Sequence, residues 1–332
     1  MRDQKLTTNK IFSISKLQEM IETYLDKEAF TGFPGVLFES TNHIMRMKGK
    51  RIRPVMVLTA CQAFGGDIKQ AMGPASAVEV YHNFSLVHDD IIDEADIRRG
   101  TPTVHKMYGL NKAILTGDAM LLHSFVLLKK GPDDKLPDML KVFSKATTEV
   151  IEGEQYDVNF EEIPEVTEDE YMLMIQYKTS VLLAASLQLG TIVANASVED
   201  QQKIYEFGLN LGLAFQIKDD YLDCYGDEKT FGKKIGGDIL MNKKTYLLIT
   251  ALKNADNESR SKIFNLFEVQ NEDEKIVGML SIYNDLGVKE ATFSKMDELY
   301  TKSLKSLDEL SIDEEARKPL LELANSIYHR EF

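Results

Sequence analysis

The chain has 332 residues, 43% of them hydrophobic and 28% charged, which allows a substantial buried core and gives no reason to expect disorder. A net charge of −14 excludes a general nucleic-acid binder, which needs a basic surface. It leaves room for an anionic substrate, because a bound divalent metal reverses the sign of an acidic pocket.

Helical periodicity dominates, and few segments alternate apolar and polar residues with period two. Residues 1–10 are polar and lack the apolar run of a signal peptide. Helices are predicted over 13–25 and 54–64, and the Gly65-Gly66-Asp67 break separates the second from a longer helix over 71–93. Two more, over 112–129 and 137–158, are parted by Gly131-Pro132-Asp133-Asp134. A helix over 168–194 carries the most apolar stretch, which Gln188 and Gly190 interrupt and which falls short of a membrane span. Ser197-Val198-Glu199-Asp200 reads as a capping start for a helix over 199–225, and shorter helices follow from residue 240. No stretch has the composition of a linker, so a single domain over 1–332 is expected. The two cysteines, Cys61 and Cys224, are too few for a disulfide framework or a zinc cluster and fit a reducing cytoplasm.

One five-residue pattern occurs twice: Asp89-Asp90-Ile91-Ile92-Asp93 and Asp219-Asp220-Tyr221-Leu222-Asp223. Residues four apart share a helix face, so Asp89 lies beside Asp93 with Asp90 flanking, and Asp219, Asp223 and Asp220 repeat the arrangement. Three carboxylates on one turn repel one another unless a cation sits among them, and Mg²⁺ prefers carboxylate and phosphate oxygens. With 53 acidic residues in the chain, an acid-acid-x-x-acid pattern arises by chance about once. Requiring aspartate at all three places lowers that to roughly 0.2 per chain, so two copies point to function. Both also close largely apolar helical stretches, which solvated acidic faces rarely do.

Cations gather around these turns. Gly49-Lys50-Arg51-Ile52-Arg53-Pro54 precedes a helix whose free amides favour phosphate. Arg98-Arg99-Gly100 follows the first acidic turn; Lys233-Lys234 and Lys243-Lys244 follow the second, around Gly236-Gly237-Asp238. Lys178 and Thr179 interrupt an otherwise apolar helix, an independent sign of a polar duty there. His88, His105 and His123 read as structural histidines.

Taken together these motifs resemble the polyprenyl synthetase family, the trans-isoprenyl diphosphate synthases, from about residue 48 to 245. The turn at Asp89 with its flank to Gly100 resembles the family's first aspartate-rich motif, and Phe215-Gln216-Ile217-Lys218 with the Asp219 turn resembles the second. Gly49 to Pro54 resembles its GKRxRP motif. The resemblance implies an all-α, single-domain bundle of about ten or more helices around a central cavity, the isoprenoid synthase fold. It implies that Asp89, Asp90, Asp93, Asp219, Asp220 and Asp223 bind three Mg²⁺, or Mn²⁺ in their place. Arg98, Lys178, Thr179, Gln216, Lys233 and Lys243 would grip an allylic diphosphate; Gly49, Lys50, Arg53, His82 and Arg99 would hold isopentenyl diphosphate. Asp89, Asp93, Lys178, Asp219 and Lys233 would carry the catalysis. A homodimer is implied, without nucleic acid or a membrane span.

The implied chemistry is ionisation of the allylic C–O bond, helped by cations that stabilise the departing diphosphate. Attack by the neighbouring alkene follows, then proton loss to the released diphosphate. Ser85, one turn before Asp89 on the same face, and Phe84 to its side occupy the positions that floor the product cavity in this family, and imply a C15 to C20 product. The Asn242-Lys243-Lys244-Thr245 segment departs from the commoner Gly-Lys-x-Thr form and leaves open which lysine meets phosphate. Two alternatives are a class I terpene cyclase and an inactive or regulatory subunit of a heteromeric synthase. The second all-aspartate motif counts against the cyclase, and the presence of all six aspartates against the subunit.

Overall fold

The computed structural model describes residues 11–28, 30–32, 34–47, 49–226 and 235–329. These are helical almost throughout, and the expected all-α class is what the chain adopts. Its contacts form two compact units. The first comprises residues up to Lys145 with Ala185–Gln202 and Ser311–Leu320; the second comprises Ala146–Ala184, Lys203–Leu310 and the residues from Leu321.

In the first unit, α1 (Ile14–Lys27), α2 (Gly35–Met45) and α3 (Ile52–Ala63) precede α4 (Ile68–Ile92), the helix that ends in the first aspartate turn. Asp67 caps α4 by accepting from the Lys69 amide at 2.9 Å, one of the orphan donors at a helix start. α4 packs antiparallel to α6 (Leu110–Leu128), and small residues set the approach. A side chain on Gly73 would strike Leu127 and Lys130, and one on Gly117 would meet the His88 ring at 2.1 Å. Alanine and other apolar residues between those points, among them Ala75, Ala77, Val78, Tyr81 and Phe84, are buried.

Among the elements that escaped the periodicity reading are α2, the short helix α5 (Val104–Tyr108), and a hairpin of β1 (Ile97–Arg98) with β2 (Thr101–Pro102). The hairpin pairs Arg98 with Thr101, leaving Arg99 and Gly100 at its tip with φ of 51° and 75°. Positive φ at both central residues is the type I′ requirement, and Gly100 is the residue that meets it without strain.

The long helices α7 (Leu136–Glu162) and α10 (Val198–Tyr225) lie close to their predicted bounds. The helix expected over 168–194 is interrupted. α8 (Glu168–Ile175) passes through a wide turn, Gln176–Ser180, before α9 (Val181–Val193) resumes, and Lys178 and Thr179 lie in that turn. Beyond α10 come a one-turn helix α11 (Gly237–Leu240), then α12 (Tyr246–Asn254), α13 (Asn257–Phe267), α14 (Glu272–Asp285), α15 (Val288–Asp308) and α16 (Glu314–Tyr328). Cys224, Ile239, Leu247, Leu248, Ile263, Met279 and Tyr283 share one core cluster of the second unit. Among the described residues no helix is long and apolar enough to cross a membrane.

Candidate active site

The first aspartate turn ends α4 in a fixed geometry. Ala95 N–H donates to Asp90 O at 3.0 Å and Glu94 N–H to Ile91 O at 3.3 Å, while Glu94 takes φ 52°. This is the Schellman closure, here with a residue that carries a side chain and therefore costs roughly 1 kcal/mol. The chain then reverses through the hairpin and brings Arg98 back over the turn. Arg98 Nε donates to Asp90 Oδ1 at 2.7 Å and Nη2 to Asp89 Oδ2 at 3.1 Å. Asp90 is buried, Asp89 is half-buried, and Asp93 is exposed.

Beside this turn lies a cluster of cations. Arg53 Nη1 is 3.2 Å from His82 Nε2. A side chain on Gly49 would meet Arg99 Nη1 at 2.8 Å, so glycine there lets the guanidinium lie against the backbone. Burial, with Arg99 adding to it, pulls the Arg53 pKa down to about 10. Burial and the neighbouring Arg53, Arg99, Arg98 and Arg51 hold His82 well below the usual histidine range, so it is neutral near pH 7. Lys50 is exposed next in sequence. Excess positive charge held close together is the arrangement that a diphosphate relieves.

Arg51, the other arginine of the segment, has a different duty. It takes φ 48° at the start of α3, and its Nη1 donates to Glu79 Oε1 at 2.6 Å and Nη2 to Met45 O at 2.6 Å. Asn83 Nδ2 also donates to Glu79 Oε1, at 3.0 Å. Breaking such a buried pair typically costs about 3–5 kcal/mol, so Arg51 and Glu79 anchor the cation-bearing segment onto α4. Glu79 and Asn83 were missed in the sequence because they are single polar residues in an apolar helix.

The second aspartate turn repeats the first in burial. Asp220 is buried, and Asp219 and Asp223 are half-buried. Tyr171 OH donates to Asp220 Oδ2 at 2.5 Å and the Tyr246 amide donates to the same oxygen at 3.2 Å. Burial and Asp238 push the Asp220 carboxyl up to about 7. Asp223 receives the Asp238 amide at 2.9 Å. Thr179 Oγ1 donates to Gln216 Oε1 at 3.0 Å, and Gln216 Nε2 reaches Asp220 Oδ1 at 3.4 Å, so Gln216 joins this turn directly and Thr179 through it.

Lys178 and Lys243 converge on Asp157, an α7 carboxylate that the sequence reading passed over because acids at 154, 157 and 161 look like a solvated face. Lys178 Nζ is 2.6 Å from Asp157 Oδ2 and 2.9 Å from Glu154 Oε2; Lys243 Nζ is 3.9 Å from Asp157 Oδ2. Burial raises the Asp157 carboxyl, but Lys243 and Lys178 outweigh it and hold the group below its usual range. Lys244 instead turns to the Glu161 carbonyl at 3.5 Å, so the two adjacent lysines face different partners. Lys233 lies outside the described residues.

Both triads suit a hard divalent cation. Each closes the carboxyl end of a long helix, where the carbonyl groups add negative potential. Asp90 Oδ2 is buried without a hydrogen-bond partner. Among the described residues no three acidic, histidine or cysteine side chains are grouped so as to hold a metal ion by themselves.

Phe84 is buried, with Tyr81 at 5.2 Å on one side and His88 at 4.9 Å, edge-on, on the other. Ser85 is half-buried, and its hydroxyl donates to His82 O of its own helix at 2.9 Å. Of the histidines read as structural, His88 approaches the Ile114 carbonyl at 3.3 Å, and the His123 ring packs at a tilt against Phe30, centroids 4.6 Å apart.

Residues 34–285 match the family model described as polyprenyl synthetase. A short chain isoprenyl diphosphate synthase of Methanothermobacter thermautotrophicus is 34% identical over 320 residues, covering 96% of this chain and 98% of that protein. A geranylfarnesyl diphosphate synthase of Aeropyrum pernix is 34% identical over 76% of this chain and 81% of its own length. Among solved structures, a geranylgeranyl pyrophosphate synthase at 40% identity superposes with a TM-score of 0.92, covering 97% of this chain and 100% of that one. Another, from Corynebacterium glutamicum and complexed with isoprenyl diphosphate and magnesium, shares 26% identity at a TM-score of 0.83, covering 96% and 98%.

Proposed function

The chain belongs to the polyprenyl synthetase family, and on that premise we propose that it condenses isopentenyl diphosphate with an allylic diphosphate to give C15–C20 products. Dimethylallyl, geranyl or farnesyl diphosphate would serve as primer. The observation that carries the reading is the pair of cations Arg53 and Arg99 around neutral His82, next to the Arg98-bound first aspartate turn.

Gly49, Lys50, Arg53, His82 and Arg99 bind the isopentenyl diphosphate and hold its alkene for attack, which supplies the proximity part of catalysis. Lys178, Thr179, Gln216 and Lys243 grip the allylic diphosphate, with Lys233 assigned the same role from the sequence. Arg98 orients Asp89 and Asp90. Magnesium, three ions per site on this reading, supplies electrostatic stabilisation of the leaving diphosphate. Asp89 and Asp93 in one triad, and Asp219 and Asp223 in the other, are the better exposed ligands, while Asp90 and Asp220 are also held by protein donors. Solution as a homodimer and location in the cytoplasm complete the reading. The superposition over 97% of the chain supports one domain across 1–332.

For product length, the C20 name of the best-superposing structure described above supports geranylgeranyl diphosphate, and the C25 name of the Aeropyrum relative marks the next step up. The test is to incubate the purified chain with Mg²⁺, isopentenyl diphosphate and each primer, and to separate the products by chromatography. The expected result is mainly C20. No elongated product would defeat the synthase reading, and mainly C30 or longer chains would defeat the length. Phe84→Ala should shift the distribution to C25 or beyond by removing the ring that Tyr81 and His88 brace.

A further inference from the structure

Lys275 has no role in the chemistry above, yet it is buried at 4% exposure. Its Nζ donates to Leu240 O at 3.1 Å and to Phe267 O at 3.2 Å. These carbonyls belong to the last residues of α11 and α13, where helices leave acceptors unmatched. Among the described residues no carboxylate pairs with Lys275. Burying a lysine head without a counter-charge is costly, and the two carbonyl hydrogen bonds offset part of that cost.

What it holds is the segment that delivers Lys243. The neighbouring residue on α14, Ile276, lies against Gly236, where a Cβ would approach it to 2.8 Å. Lys275 and Ile276 thus grip the two ends of α11. From the other side, Gly236 N–H donates to Asp223 O at 2.7 Å and Asp238 N–H to Asp223 Oδ2 at 2.9 Å. The chain leaves α11 through Asn242 at φ 53°, and Lys243 N–H returns to Asp238 O at 2.9 Å. Fixing Leu240 O therefore fixes where the Lys243 side chain starts, two bonded turns from the second aspartate triad.

We propose that Lys275 is a positioning residue for allylic diphosphate binding, acting through α11 on Lys243. This rests on the assignment of Lys243 to the allylic diphosphate. The test compares Lys275→Met, Lys243→Ala and the double variant by steady-state kinetics, well below the melting temperature of each. Lys275→Met is expected to raise the allylic KM about tenfold while the isopentenyl KM stays within twofold. It should add little to Lys243→Ala, because residues acting on one contact are not additive.

A lowered melting temperature with unchanged allylic KM would reduce Lys275 to a helix cap and overturn the proposal, as would full additivity with Lys243→Ala. If Lys243→Ala itself leaves the allylic KM unchanged, the fault lies with the Lys243 assignment. Should Lys275→Met fail to fold, Lys275→Gln, which keeps a donor for one carbonyl, carries the same comparison. Lys275→Arg, with donors for both carbonyls, should recover most of the allylic KM.

Discussion

Asp220 is held by burial and by Asp238 at a pKa of about 7, against an ordinary aspartate value of 3.8. The folded chain keeps a proton there through a range in which the unfolded chain has released it. Between about pH 4 and 7 the native state binds the extra proton, so the metal-free protein loses stability as pH rises through that window. Asp220→Asn removes the titration while keeping acceptors for Tyr171 and Tyr246. In EDTA the wild-type melting temperature should fall more steeply than that of Asp220→Asn from pH 5 to 7.5, and parallel profiles would dismiss the linkage. The six aspartates were legible because their spacing alone marks a shared face. That the middle member of each triad is buried and bonded was not legible. It depends on Arg98, Tyr171 and Tyr246, and for Asp220 the partners lie 49 and 26 residues away in the chain. The different partners of Lys243 and Lys244 likewise depend on where Asp157 and Glu161 come to lie.

Helix interiors decide how those side chains are presented. The wide turn Gln176–Ser180 replaces α-helix where Lys178 must face Asp157, and two glycines on other helices make room for it. A Cβ on Gly153 would come within 2.2 Å of the Lys178 backbone nitrogen, and one on Gly212 within 2.7 Å of Ser180 Cα. Glycine in a helix interior costs about 1 kcal/mol relative to alanine, which each helix bears for the close approach. The sequence reading predicted one unbroken helix over 168–194. The turn is imposed from outside its own segment, so local periodicity does not contain it. Gly153→Ala forces backbone apart, at a typical cost of about 1–3 kcal/mol, and displaces Lys178. Thermal melts should show a drop of several degrees, and kinetics a raised allylic KM. Gly35→Ala, where the nearest atom is 3.9 Å away, should leave both unchanged. If Gly153→Ala behaves like Gly35→Ala, the close approach is not what shapes the turn.

At the scale of the molecule, the outer side of α6 bears on the proposed homodimer. Leu110, Ile114, Leu115, Leu122 and Val126 are exposed along it, Leu122 at 71% and Leu115 at 59%. A run of this kind on one helix is the pattern of a surface covered by a partner, and a two-fold copy of the same face is the simplest cover for a chain that forms closed oligomers. Leu122→Glu places a charge in the middle of that face. Because Leu122 is exposed in the isolated chain, the substitution should leave folding nearly unchanged while shifting sizing chromatography with light scattering from twice 37.6 kDa to the monomer mass. A wild-type protein that elutes as a monomer would remove the dimer from the reading. The inner side of the same helix meets His88 through Ile114 O and Gly117, and His88 packs edge-on against Phe84. On the proposed dimer, loss of the partner would free α6 to shift against α4 and loosen the brace on Phe84. The Leu122→Glu monomer should therefore also give a broader product distribution than wild type, reaching past C20. Monomerisation with an unchanged distribution would show that the Phe84 brace is complete within one chain.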